Sequence, residues 1–89
     1  MAAIRFMYYT YVLKSQRDEK LYIGYSVNLQ KRFLEHRKGK VESTKYRRPL
    51  ELIFYEAFKE RKDAMRRERY FKTEKGKSSL QQIIRFSRE

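Results

Sequence analysis

The chain has 89 residues, enough for one domain over 1–89 with a modest hydrophobic core. Eight Tyr and six Phe supply bulky core material that a disordered chain would lack, and the absence of cysteine excludes a disulfide framework or a thiolate metal site. With 23 basic against 11 acidic side chains the net charge is +12, which favours a polyanionic partner, nucleic acid first and an anionic membrane surface second.

No run of about 18 apolar residues is present to cross a membrane. The N-terminal stretch MAAIRFMYYTYVL lacks the basic start, clean apolar run and small-residue cleavage site of a signal peptide, so a cytoplasmic location is expected. Residues 7 to 14 are rich in β-branched and aromatic types and predict a strand. Tyr9, Tyr11 and Leu13 share one face; Tyr8, Thr10 and Val12 share the other. Ser15 to Glu19 is polar and turn-like, and Lys20 to Tyr25 predicts a second strand, with Leu21, Ile23 and Tyr25 on one face and Tyr22 on the other. A hairpin loop over Ser15 to Asp18 pairs Lys14 with Glu19 and sets Tyr11 across from Tyr22, so that both phenols project to one side. A loop one residue longer breaks that pairing.

Ser26 or Asn28 can cap the helix that follows, and Gly39 fits its end. On a helical wheel Leu29, Phe33 and His36 fall together, Arg32 lies at the edge of the same stripe, and Gln30, Lys31, Glu35 and Lys38 point elsewhere. Lys40 to Pro49 is a basic loop without periodicity. Leu50 to Phe58 predicts a third strand, with Leu50, Leu52, Phe54 and Phe58 on one face. Glu60 to Thr73 predicts a second helix, which Gly76 should break. Ser78 to about Phe86 predicts a third, striped by Leu80, Ile83 and Ile84. The order β-β-α-β-α-α implies an α+β fold: a three-stranded, antiparallel-rich sheet flanked by three helices.

Few residues offer chemistry. Glu68 stands between Ala64 and Phe71 on one helical stripe, with Met65 and Lys72 beside it. A carboxylate there is costly unless paired, protonated or bound to a metal. An ordinary ion pair with Arg61 or Lys72 accounts for it equally well. Arg32 and His36 lie one turn apart and are neighbours, yet an arginine on a helix rim is ordinarily a snorkelling side chain, and a histidine beside apolar residues ordinarily a packed one. The tyrosines are what strands favour in any case. No two-His or paired-acid metal cage and no Gly-rich phosphate loop is visible.

Read together, these residues carry more. With Tyr9-Thr10-Tyr11 on the first motif and Tyr22-Ile23-Gly24 on the second, the chain resembles the GIY-YIG nuclease family. Gly24 to Leu29, then Arg32 and His36, is similar to that family's strand-to-helix passage, and Glu68 matches its metal-binding Glu. The resemblance runs from Tyr8 to the last helix and looks closest to small single-domain bacterial members, similar to the GIY-YIG catalytic domain of the bacterial excision-repair nuclease. The first motif keeps only the final Tyr of GIY. The Asn that many members carry in the last helix is missing between Ser78 and Phe86, where Ser78, Ser79 or Gln81 could take its place.

The resemblance implies a metal-dependent DNA endonuclease of repair or recombination, leaving 5′-phosphate and 3′-hydroxyl ends. It implies that Glu68 holds one divalent cation, Mg²⁺ or Mn²⁺, a hard ion suited to carboxylate and water. Arg32 would contact the phosphate with its planar fork, Tyr11 or Tyr22 would take the proton of the attacking water, and His36 would orient or replace that base. Lys40, Lys45, Arg47 and Arg48 on the loop, with Arg66, Arg67, Arg69 and Lys72 on the helix, could neutralise phosphates in a salt-sensitive, sequence-blind manner. Specificity would then come from a protein partner. Two further readings stay open: a nucleic-acid-binding module that has lost catalysis, and a basic protein docking on ribonucleoprotein or an acidic partner.

Overall fold

A computed structural model describes residues 6–89 of the protein. Residues 1–5, where the stretch read for a signal peptide begins, lie outside the described residues. The alternating aromatic and aliphatic runs form β1 (Tyr8–Ser15), β2 (Leu21–Ser26) and β3 (Leu50–Phe58), paired antiparallel in the order β2-β1-β3. Three helices flank this sheet: α1 (Leu29–Arg37), α2 (Arg61–Phe71) and α3 (Glu74–Ile83). The expected α+β fold, with its order of elements, is the fold observed.

β1 is the central strand and serves two cores. Val12 packs on one side with Phe71, Leu80 and Ile84 of the α2–α3 layer, joined by Ile23, Ile53 and Phe54. Tyr11 and Leu13 pack on the other side with Leu50, Leu52, Leu29 and Phe33, beneath α1. Period-two alternation divides the strand between these layers.

Several expectations give way to the structure. The hairpin loop is longer than Ser15–Asp18: Lys14 pairs with Leu21, and Tyr11 lies opposite Gly24 rather than Tyr22. Ser15 is held in the sheet by its pairing with Leu50, and its hydroxyl donates to the Arg47 carbonyl while accepting from the amides of Arg17 and Asp18. The turn therefore closes beyond it, with the Ser15 amide donating to the Lys20 carbonyl at 2.9 Å. Because the shift is even, Tyr11 and Tyr22 still project to one face.

β3 does not present a single apolar face. Val12 pairs with Phe54 but Leu13 pairs with Leu52, so Ile53 is an extra residue, a β-bulge. The bulge turns Leu50 and Leu52 toward the α1 core and leaves Phe54 in the other.

Gly76 does not break a helix; it sits buried inside α3. A Cβ there would stand 1.7 Å from the Tyr70 carbonyl oxygen, so the missing side chain lets α3 meet the end of α2. α2 ends at Phe71, and Thr73 caps α3 by accepting from the Gly76 amide. Of the expected α3 stripe, Leu80 and Ile84 are buried whereas Ile83 is exposed. One helical turn separates the two buried residues, while Ile83 is rotated about 100° away from Ile84.

Candidate active site

Tyr11 is the pivot. Its ring crosses β2 at Gly24, where a Cβ would lie 2.4 Å from the phenol carbon and oxygen. Only a residue without a side chain lets the ring pass, which gives the glycine of Tyr22-Ile23-Gly24 a steric role. Thr10, beside it, is fully buried and donates its hydroxyl to the Ala64 carbonyl at 2.6 Å, tying β1 to α2. At this middle position of the first motif the tie to α2 is a hydrogen bond.

Asn28, not Ser26, caps α1: its side chain accepts from the Lys31 amide, while the Ser26 hydroxyl accepts from the Asn28 amide and shapes the turn. The helix begun there carries His36 to the Tyr11 hydroxyl, 2.8 Å from Nε2. Nδ1 lies 2.7 Å from the Thr44 hydroxyl, and both His36 and Thr44 are fully buried. Thr44 is a site residue that motif and spacing miss. The one available signal is that a buried histidine needs a partner on each ring nitrogen.

Charge assigns the protons. Burial, then the neighbouring Arg32, lowers the His36 pKa to about 4. Burial raises the Tyr11 pKa to about 12, against the favourable pull of Arg32. At neutral pH the phenol is protonated and the imidazole neutral. Tyr11 then donates to Nε2, and Nδ1–H donates to Thr44.

Arg32 projects from α1 toward both phenols. Partial burial works against its charge, but Glu35 and the two phenols favour it more. Its guanidinium donates to Glu35 Oε1 at 3.1 Å. The helical wheel turns Glu35 elsewhere, yet its three-residue offset places it on the Arg32 rim. The Tyr22 ring packs edge-on against His36, centroids 5.2 Å apart, and tilts toward Tyr11 at 6.3 Å. Unlike the buried Tyr11, Tyr22 is part-exposed.

Glu68 approaches from α2, which packs against β2 as well as β1. Its negative charge reaches the Tyr11 hydroxyl and helps hold that proton. The Glu68 side chain is 22% exposed, and Lys72 donates to Oε2 at 3.1 Å. The ordinary ion pair open to this residue is therefore present, with Lys72 and not Arg61. Among the described residues, Oε1 carries no hydrogen-bonding partner, and no three metal-ligating side chains cluster. One open carboxylate oxygen, accessible to water, fits a hard cation that retains most of its water. Ser78 is exposed, Ser79 bonds the Tyr70 hydroxyl at 2.8 Å, and Gln81 accepts from Arg88, so none of the three bonds to these residues.

The basic side chains divide by what they touch. Arg67 grips both oxygens of Glu56, at 2.7 and 3.2 Å, and lies over the Phe71 ring at 4.3 Å. Arg47 pairs with Asp18 at 3.5 Å, and Arg48 donates to the carbonyls of Lys45 and Arg37. Arg66 and Lys45 make exposed-rim pairs with Asp63 and Glu42, whereas Lys40 and Arg69 stand exposed.

Two phenols beside an arginine, with an acid brought in from a later helix on this sheet, define a GIY-YIG catalytic domain, whose family matches residues 7–81. The chain belongs to that family, a family of nucleases. Within it, the chain is similar to small proteins that carry the name UPF0213. It is 46% identical over 67 residues to the UPF0213 protein of Bacillus pumilus, a match covering 74% of this chain and 67% of that one. It is 39% identical over 77 residues to a UPF0213 protein of Staphylococcus haemolyticus, covering 85% and 93%. The solution NMR structure of a UPF0213 protein from Bacillus halodurans matches with a TM-score of 0.55 at 30% identity, covering 86% of this chain and 84% of that one. Among the described residues, no helix is long and apolar enough to cross a membrane.

Proposed function

We propose that residues 1–89 form one nuclease domain, a metal-dependent endonuclease that hydrolyses DNA phosphodiester bonds in repair or recombination. The observation that carries this reading is the meeting of Tyr11, Tyr22 and Arg32 within the field of the Glu68 carboxylate. Arg32, braced by Glu35, presents its planar fork to the phosphate and offsets charge that builds on it. Tyr22, the more accessible phenol, acts as the base in its deprotonated form: once its own proton has passed to solvent it takes the proton of the attacking water and returns to the phenol, with the Arg32 charge beside it. Tyr11, His36 and Thr44 hold the Tyr22 ring and the Arg32 head in place. Glu68 is the ligand for one divalent cation, Mg²⁺ or Mn²⁺, which when bound supplies Lewis-acid stabilisation of the departing 3′ oxygen.

Lys40, Lys45, Arg48, Arg66, Arg69 and Lys72 provide the phosphate contacts, while Arg47 and Arg67 chiefly brace the fold. A protein partner would supply specificity, and a cytoplasmic setting suits this substrate. A second reading, a nucleic-acid-binding module without catalysis, is favoured by the Lys72–Glu68 pair and by the commitment of Ser79 to Tyr70.

Supercoiled, flapped and branched DNA, incubated with the protein and Mg²⁺ or with chelator, separates these readings. Wild type should cut at least one substrate only with metal, and Glu68→Ala should cut none. If wild type leaves every substrate as intact as Glu68→Ala does, the catalytic reading fails; tight, salt-sensitive binding without cutting would then support the second.

A further inference from the structure

A basic concavity lies beyond the His36–Thr44 hydrogen bond. Arg37 and Lys45, the chain neighbours of those two residues, line it together with Arg17, Tyr46, Arg48 and Pro49. Its volume is 590 Å³, within the roughly 300–1,000 Å³ of ordinary ligand pockets. Four of its lining side chains are cationic and none is acidic, although Lys45 also pairs with Glu42 at the rim.

Two of these cations are held in place. Arg48 donates to the carbonyls of Lys45 and Arg37, at 3.0 and 3.2 Å. Its guanidinium also packs on Gly39, whose φ of +77° turns the chain beneath it and whose missing Cβ makes the space. Arg17 donates to the Tyr46 carbonyl at 3.1 Å and fixes the short 3₁₀ turn, Lys45–Arg47. That turn raises Tyr46 into solvent, where the residue is 74% exposed. The ammonium of Lys45 lies 4.9 Å from the ring centroid.

An exposed aromatic ring within a set of braced cations has no role in the core and none at the candidate active site. It has the two features that hold single-stranded nucleic acid: a flat surface for a base and fixed positive charge for the phosphates beside it. We propose that this concavity is a second subsite, taking an unpaired DNA strand with one base stacked on Tyr46 and the flanking phosphates on Arg37, Lys45 and Arg48. A base within a duplex cannot reach the ring, because the neighbouring pairs cover both its faces; only the end pairs leave one face open. The subsite therefore selects DNA with an unpaired segment. It rests on the nucleic-acid part of the function proposed above and not on cleavage.

Fluorescence anisotropy with a labelled oligothymidylate and a duplex of equal length, in chelator at low salt, tests it. Tyr46→Ala should weaken binding of the single strand about tenfold and of the duplex less than twofold, while Tyr46→Phe, which keeps the ring, should match wild type. The subsite is overturned if Tyr46→Ala leaves single-strand affinity within twofold, if it weakens both DNAs alike, or if Tyr46→Phe loses as much as Tyr46→Ala. Failure of the wild-type protein to bind either DNA would overturn the nucleic-acid reading as a whole. An unchanged Tyr46→Ala against a binding wild type removes only the subsite.

Discussion

The ring of Tyr11 occupies the volume that a side chain at Gly24 would need: a methyl group there would stand 2.4 Å from the phenol oxygen. Gly24→Ala must therefore move the phenol, and with it the hydrogen bond to His36. We expect a loss of about 1–3 kcal/mol of stability from overpacking. Any Mg²⁺-dependent cleavage should drop at least about tenfold, as misplacement at a reacting centre commonly causes. Urea melts and a nicking assay measure the two effects; a variant unchanged in both would show that the ring position does not matter.

His36 makes the fold sensitive to acid. Its folded pKa is about 4, whereas a free imidazole titrates near 6.5. Between these values the unfolded chain binds more protons than the folded one, so stability increases with pH. This contribution is complete above about pH 6.5 and is lost as pH falls toward about 4. Denaturation midpoints across that range should slope less in His36→Gln, which keeps hydrogen-bonding capacity without titrating. An equal slope in both proteins would assign the acid sensitivity to other groups.

Arg67 and Arg69 should part company. Arg67→Ala removes a two-pronged, half-buried grip on Glu56 and the cover over Phe71, for a cost of about 1–2 kcal/mol. Arg69→Ala should leave the melting temperature alone, weaken DNA binding, and flatten its salt dependence by about one unit of the log–log slope. Melting curves and salt titrations on both variants check this division. Reversed results would place Arg67 on the DNA and Arg69 in the scaffold.

Gly76 sets helix propensity against packing. Alanine is favoured over glycine within a helix by about 1 kcal/mol, yet here its methyl would meet the Tyr70 carbonyl oxygen at 1.7 Å. Gly76→Ala should destabilise the protein by about 2 kcal/mol or more, since α3 must back away from α2. A stabilised variant in chemical denaturation would contradict the close approach.

That contrast explains which features are legible in the sequence. The bounds of β3 follow from local chemistry and can be read from it, as can a cap at Ser26 or Asn28, of which the structure uses Asn28. Gly76 looks like a helix breaker because its meaning lies in a neighbouring helix. The hairpin register depends on Ser15 being anchored by Arg47 and Leu50, residues far along the chain. In the candidate site, motif and spacing point to Tyr11, Tyr22, Arg32, His36 and Glu68. They do not point to Thr44 or Glu35. The first depends on the path of an irregular loop, and the second is misplaced by wheel angle because its long side chain reaches back to Arg32.

The extra residue in β3 constrains how the gene can change length. Removing Ile53 would let the ladder run straight with Leu52 still opposite Leu13 and Leu50 still opposite Ser15, at the cost of the contacts Ile53 makes in the other core, whereas removing Glu51 would send one of the two leucines to the wrong face. A one-codon deletion at Glu51 should therefore be far more damaging than one at Ile53, although each removes a single residue.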